Sequence, residues 1–321
     1  MKQSTELINL PVIVGPTAVG KTAVAVRIAE MFNGEIVSAD SRQVYRGIEI
    51  GSGAPSQKEL ERVPHHLVGM LDPSERLSAG EFALMAMDVI KDIQKRGKLP
   101  ILAGGSGLYV RALVDGLSPI PPSNEDVRQE IMAEVSKRGM QEMISELAKI
   151  DPKYAEKIDN NKKRLVRAVE VWRTTGRTIS DWHREPDYNS QYNPVMFGLA
   201  RQRQELIDRI ERRINIMIDA GWKGEVENLS EHFGGYDKIP VTVTEGLGYR
   251  EIISFLKGDI TLFGAKEQIL ISTRQFAKRQ MTWFRADKRI KWLELSGDEA
   301  EDGWVSWLQE ELQIIVNQDS F

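Results

Sequence analysis

Four short apolar runs punctuate the first two-thirds of the chain: Ile8–Val14, Glu35–Ser38, Leu99–Ala103 and Val195–Ala200. Runs of this length, rich in Val, Ile and Leu and bounded by turn residues, fit strands buried on both faces. Helical patterns separate the first three. Strands alternating with helices predict an α/β fold, a parallel sheet with helices on both faces. Each run ends on residues with chemical potential: Gly15, Asp40, Gly104-Gly105-Ser106 and Arg201. Open α/β sheets bind ligands beyond the carboxyl ends of their strands, so these four ends are expected to converge on one crevice.

Between about 116 and 193 the pattern changes. GLSPIPPSNEDVRQE opens with prolines and a cap-like Ser-Asn-Glu-Asp, and long helical periodicities follow without strands. The stretch closes in the polar REPDYNSQYNP, with Pro186 and Pro194. This predicts an all-helical insertion over 116–193, set into a core made of 1–115 and 194–321. From Arg201 to near the end the pattern is helical again, and no internal repeat or low-complexity segment stands out.

Composition narrows the setting. With 41% hydrophobic and 28% charged residues among 321, the chain has an ordinary globular balance. It contains no cysteine and four histidines, which excludes disulfides, thiolate metal sites and cysteine nucleophiles. The opening MKQSTELINLPVIVG has too short an apolar run for a signal peptide, and no apolar stretch reaches membrane-spanning length. The expectation is therefore a cytoplasmic protein without a membrane partner. A formal net charge of −4 argues against indiscriminate nucleic-acid binding but leaves room for local basic patches.

GPTAVGKT, residues 15–22, matches the phosphate loop G-x-x-x-x-G-K-[ST]. It follows a predicted strand and precedes AVAVRIAEMF, a helical stretch apolar nearly all round and hence expected to be buried. In that context Gly15, Pro16, Thr17, Ala18, Val19 and Gly20 would wrap a diphosphate with backbone N–H groups at a helix N-terminus. Lys21 would neutralise charge, and the Thr22 hydroxyl would bind Mg²⁺. The fold class is thus a P-loop-type parallel sheet core flanked by helices, with an all-helical insertion. NTP-hydrolysing relatives of this loop usually carry an Asp at the end of a second apolar strand. Here that strand reads LPILAGGSG and ends without an acidic residue, so the bound diphosphate suits a leaving group better than an ATP γ-phosphate suits a cargo.

Two further constellations sit at strand ends. In SADSRQVYRG, Asp40 is either a helix N-cap or a carboxylate that accepts a proton from a substrate amine, and Gln43 and Arg46 suit a base edge or phosphate. In GGSGLYVRAL the glycines allow close backbone approach and Ser106 offers a hydroxyl to substrate, whereas Tyr109 and Arg111 can simply pack and cap. Residues 160–177, NNKKRLVRAVEVWRTTGR, hold six Lys/Arg against one Glu. At 100° per residue Asn160, Lys163, Arg164 and Arg167 share one face, with Leu165, Val169 and Trp172 packing opposite. That face is either a solvated basic surface or a nucleic-acid contact. In TRQFAKRQMTWFR the aromatics are expected in the core, with Arg274 and the other basic positions free to line the crevice. In ELIDRIERRINIM either Arg209 or Arg213 could reach the diphosphate, with Arg209 favoured. His65 and His66 lack metal-ligand spacing and read as structural or RNA-facing.

GPTAVGKT, SADSRQVYRG, VPHHL, GGSGLYVRAL, NKKRLVRAVEVWRTTGR and TRQFAKRQMTWFR occur in that order, and together closely resemble the bacterial tRNA dimethylallyltransferases, also called tRNA isopentenyltransferases. The likeness runs from about Pro11 to Arg285. It implies transfer of a five-carbon dimethylallyl group from dimethylallyl diphosphate to N6 of the adenosine 3′-adjacent to the tRNA anticodon, with that base extruded into a channel. By motif position, Thr17, Lys21 and Thr22 would hold diphosphate and Mg²⁺, Asp40 would engage the adenine amine, and Ser106 would assist it. Ser41, Arg42 and Gln43 would belong to the tRNA-reading stretch, and Lys163, Arg164 and Arg167 to the tRNA-contacting helix. Two departures stand out: Ser106 replaces the family's usual threonine, and IGSGAP places Ala54 where the family usually has lysine.

Prenyl transfer puts positive charge on the C5 unit and negative charge on diphosphate, so preorganised cations at the leaving group and a carboxylate at the amine are what the chemistry needs. The expected partners are the tRNA anticodon arm and dimethylallyl diphosphate, the expected cofactor is Mg²⁺, and the expected state is a monomer. The rival readings are a P-loop nucleoside or small-molecule kinase, an adenylate isopentenyltransferase acting on free nucleotide, and a non-enzymatic RNA-binding module.

Overall fold

The computed structural model describes residues 7–184, 191–297 and 301–316. Its contacts divide into two compact units, Met1–Val114 with Gln191–Phe321, and Asp115–Ser190. Residues 185–190 of the polar loop expected to close the insertion lie outside the described residues.

In the first unit, strands β1 (Ile8–Val14), β2 (Gly34–Ser38), β3 (His65–His66), β4 (Leu99–Gly104), β5 (Tyr192–Arg201) and β6 (Lys291–Leu295) form one sheet in the order β3-β2-β4-β1-β5-β6. Every pairing is parallel, with Val14 opposite Gly104 of β4 and Gly198 of β5. β2 and β4 are buried along their whole length, as parallel strands covered on both faces must be. β1 connects onward to β2 on one side, while β4 connects to β5 on the other, so the chain reverses direction between the neighbours β1 and β4. That reversal opens the ligand crevice of such sheets.

Two differences from the sequence reading have physical causes. β3 is two residues long, and β6 (KWLEL) is an edge strand interrupted by the charges of Lys291 and Glu294. Neither makes the apolar run by which buried strands announce themselves. The helix Lys21–Met31 buries Val24, Ala25, Val26, Ile28 and Ala29, but exposes Ala23, Arg27 and Glu30, so it is buried on most faces rather than all. Its apolar face joins Ile13, Ile36, Ile101, Phe197 and Leu199 in one core cluster. A second cluster joins Val44 and Ile48 to the C-terminal helices through Ile210, Ile214, Trp222, Tyr249, Ile269 and Ala277.

The second unit is all helix among its described residues: Glu125–Arg138, Met140–Ile150, Pro152–Ala155, Lys162–Thr175 and Ile179–Trp182. Ile131, Met143, Leu147, Leu165, Val169 and Ile179 form its core. A buried carboxylate, Glu170, accepts from the Asn124 N–H at 2.6 Å and pairs with Arg167 at 3.1 Å. No helix among the described residues is long and apolar enough to cross a membrane.

Candidate functional site

The phosphate loop leaves β1 and turns into the helix Lys21–Met31 through two left-handed residues, Ala18 (φ 62°) and Gly20 (φ 109°). Gly20 is required there, since a side chain at that φ is strained. The turn aims the first N–H groups of the helix outward, where they are unsatisfied by the helix itself. The Lys21 Nζ donates to the carbonyls of Gly15 (3.1 Å) and Pro16 (2.9 Å). Burial, the largest influence, pulls this ammonium down to about 8, with Asp40 acting upward and Arg213 downward.

Basic side chains brace the loop from outside. Arg201, at the end of β5, donates to the Val19 carbonyl at 3.0 Å and pairs with Glu205. Arg209, the residue favoured for the diphosphate, donates from Nε to the Ala18 carbonyl at 3.0 Å. One turn on, Arg213 is the cation that shares the crevice with Lys21 and Asp40: it lies 3.5 Å from the Thr17 hydroxyl and 3.3 Å from the Gly53 carbonyl. Burial lowers its affinity for a proton, and among the described residues no carboxylate lies within ion-pair distance of it. The loop that carries Gly53 is pinned by Glu225, which accepts from the N–H groups of Ile50 (2.7 Å) and Gly51 (3.0 Å) and from the Tyr249 hydroxyl (2.9 Å). No sequence motif marks Glu225.

Asp40 follows β2, and a turn rather than a helix begins there, so the foreseen helix N-cap is not formed. Its Oδ1 accepts from the Arg42 N–H at 2.9 Å, closing a tight turn. The same carboxylate acts electrostatically on Lys21 and Arg213. The Ser41 N–H donates to the Ser106 hydroxyl at 2.9 Å, and that hydroxyl donates to Ser41 Oγ at 3.2 Å. Ser106 thereby fastens the Asp40 turn to the end of β4.

The close approach that the glycines around Ser106 allow is an approach of the protein to itself. A Cβ on Gly104 would fall 2.1 Å from the Ala39 carbonyl oxygen, and one on Gly107 would fall 2.2 Å from the Trp283 ring.

Other expected contacts are committed internally. The Gln43 amide accepts from Ser38 Oγ (3.0 Å) and donates to the Gly53 carbonyl (2.9 Å). Arg42 donates to the Thr242 carbonyl and faces Glu245 at 3.8 Å. In the helical unit Lys163 and Arg164 are exposed, whereas Arg167 is paired with Glu170. Trp172, expected to pack inward, is 37% exposed, and Trp283, expected in the core, is 46% exposed. His66 donates from Nε2 to the buried Glu35 carboxylate at 2.7 Å, and His65 donates from Nδ1 to the Val63 carbonyl at 2.8 Å. Among the described residues no cluster of His, Cys, Asp and Glu could cage a metal ion.

The arrangement can hold an anion against a half-buried lysine and a half-buried arginine, with a carboxylate acting electrostatically on both. Comparisons with known proteins agree on one kind of protein. A family model described as IPP transferase matches residues 43–287. The tRNA dimethylallyltransferase 2 of Geotalea uraniireducens (strain Rf4) is 44% identical over 296 residues, 92% of this chain and 94% of that one. The tRNA dimethylallyltransferase of Alkaliphilus oremlandii is 42% identical over 290 residues, 90% of this chain and 92% of that one. Among solved structures, the full-length tRNA isopentenylpyrophosphate transferase of Bacillus halodurans matches with a TM-score of 0.68 at 36% identity, covering 98% of this chain and 99% of that one. A eukaryotic dimethylallyltransferase acting on tRNA matches with a TM-score of 0.75 at 27% identity, covering 96% of this chain and 78% of that one.

Proposed function

The chain belongs to the IPP transferase family, and from that premise we propose that it transfers a dimethylallyl group from dimethylallyl diphosphate to N6 of the adenosine 3′-adjacent to the anticodon of a tRNA. The observation that carries this reading is the placing of Lys21, bonded to the Gly15 and Pro16 carbonyls, and of Arg213, beside the Thr17 hydroxyl, on one phosphate loop, with the Asp40 carboxylate acting electrostatically on both and β4 followed by glycine and serine rather than aspartate.

The loop N–H groups, Lys21 and Arg213 bind the diphosphate. As the allylic C–O bond breaks, its electron pair leaves with the diphosphate oxygen, and these fixed cations stabilise the charge that develops there. The adenine N6 forms the new C–N bond, and its proton passes to the Asp40 carboxylate, which the turn hydrogen bond at Oδ1 holds in place. Ser106 acts by holding that turn. The residues suit Mg²⁺: a hard dication that keeps several waters needs only one or two protein oxygens beside the substrate phosphates, and the Thr22 hydroxyl at the mouth of the helix is such a donor. Mg²⁺ would add positive charge at the leaving group. Extruding the base from a single-stranded anticodon loop costs little, because it is already unpaired. Lys163 and Arg164 supply phosphate contacts to the anticodon arm, and Arg167 holds the helix that presents them. The protein acts as a monomer in the cytoplasm, where its tRNA substrate lies.

The test uses purified protein, dimethylallyl diphosphate, Mg²⁺ and unmodified tRNA, with free AMP and ATP as separate arms, followed by digestion and mass analysis of nucleosides. A prenylated adenosine from tRNA alone is the expected result. Product on free AMP would move the acceptor to a nucleotide, and phosphate release from ATP without prenylation would make the chain a kinase.

A further inference from the structure

The long helix Leu262–Arg285 touches both halves of the site through one side chain. Gln280 is 7% exposed. Its Oε1 accepts from the Thr17 N–H of the phosphate loop at 2.8 Å, and its Nε2 donates to the Gly105 carbonyl at 2.9 Å. Three positions on, the Trp283 ring lies against Gly107, so the helix sets the loop after β4 at two neighbouring points. From Gly105 the bonding continues through Ser106 and Ser41 to the turn that holds Asp40. The diphosphate loop on β1 and the carboxylate on β2 are therefore spaced by one carboxamide, inserted beside β4.

A carboxamide fits this place. It must accept on one side and donate on the other, and the two backbone groups it satisfies would otherwise be left unpaired in a buried setting. The bonds cross 263 and 175 positions of sequence, so local chain geometry cannot replace them.

We infer that Gln280 is a positioning residue for the transfer: it sets the gap between the leaving diphosphate and the amine that Asp40 orients. The inference rests on the transfer proposed above. Reacting atoms must lie about 3–3.5 Å apart, and a misplacement of about 1 Å costs on the order of 100-fold in rate. Gln280 touches neither reacting atom, so its loss acts on the rate of the bound complex rather than on the binding of either substrate.

The experiment compares wild type, Gln280→Met, Gly105→Ala and the double variant in the full chain. It measures kcat, KM for dimethylallyl diphosphate and for tRNA, and the thermal midpoint of each protein. Gln280→Met keeps the volume and removes both bonds; its kcat should fall about 100-fold with both KM values within about threefold. A Cβ at Gly105 would stand 2.4 Å from Gln280 Nε2, so Gly105→Ala should displace the amide and lower kcat with KM unchanged. In the double variant the flexible Met yields to that Cβ, and kcat should fall no further than in the worse single variant.

Unchanged kcat in Gln280→Met, a loss carried by KM, or single effects that multiply in the double variant would each overturn the role. If Gln280→Met does not fold, Gly105→Ala decides by the same split. A wild type that makes no prenylated adenosine overturns the transfer, and the role with it. An active wild type beside an unimpaired Gln280→Met overturns the role alone.

Discussion

The two ends of strand β2 hold charges in opposite ways. Near its start, Glu35 is buried and surrounded by partners: Arg96, with both carboxylate oxygens engaged, Lys98 at 2.8 Å and His66 at 2.7 Å. Past its other end, Asp40, Lys21 and Arg213 influence one another electrostatically, yet among the described residues no ion pair joins them. The first cluster is closed and satisfied by itself. Among the described residues, the second keeps its cations bonded to backbone carbonyls and a hydroxyl, so an incoming anion finds them without breaking an ion pair. A charge cluster that stabilises a fold and one that waits for a ligand differ less in composition than in whether the partners already touch.

The widest separation between the two clusters should come from neutralising each carboxylate. Asp40→Asn keeps a side-chain oxygen for the turn, since Asn caps as well as Asp, and should lower kcat by about 100- to 10,000-fold, the usual worth of a positioned general base. Its unfolding midpoint should barely move. Glu35→Ala should do the reverse. Breaking a buried pair commonly costs about 3–5 kcal/mol, and because Arg96 and Lys98 are partly exposed and regain water, about 2–3 kcal/mol is expected here in urea unfolding, with kcat unchanged. An Asp40→Asn protein that loses stability, or a Glu35→Ala protein that loses turnover, would erase the contrast.

Acid should separate the clusters next. Arg96 above all, with Lys98 and His66, holds the Glu35 carboxyl well below the usual carboxylate range. A depressed folded pKa gives stability that is present above the ordinary value and lost as pH falls through the folded one. Stability should therefore decline on acidification below about 4.3, and the Glu35→Ala protein should decline less steeply over the same range in acid-unfolding curves.

The smallest effect is at the other end and on the alkaline side. Burial holds Lys21 down to about 8, so stability rises with pH between that value and the ordinary lysine value, in the same sense as for Glu35 but because a burial cost is relieved rather than because an ion pair forms. The charged form binds diphosphate. Affinity for dimethylallyl diphosphate should be level below about pH 8 and weaken by up to about tenfold per unit above it, measured by calorimetric titration. A level affinity to pH 9.5 or so would mean that Lys21 is not the cation that matters.

Much of this was legible in the residues. Four of the six strands, the helical character of the insertion and the phosphate loop follow from apolar runs, proline punctuation and glycine spacing, all of which are local. Asp40 and Ser106 were findable because they sit at strand ends. Gln280, Glu225 and the preference for Arg213 over Arg209 were not, because each acts on backbone groups distant in sequence, and a glutamine or arginine in a helix carries no signal of what it faces. What the glycines after β4 approach was hidden for a related reason. Sequence records that a side chain is missing, and only the fold reveals that a neighbouring strand and a tryptophan occupy its place. Trp172 and Trp283 erred the other way, since periodicity assigns a face to a helix but cannot tell whether anything covers it.

By itself, then, the sequence determined the architecture and pointed to the kind of ligand: short-range periodicity selects strands and helices, and a glycine-lysine loop at a helix N-terminus suits phosphate. The tertiary structure decided which charges are closed and which are open. It also decided how far the phosphate loop stands from the acceptor carboxylate, because that distance is set by a single amide bonding across the fold, and such a bond exists only once the chain has packed.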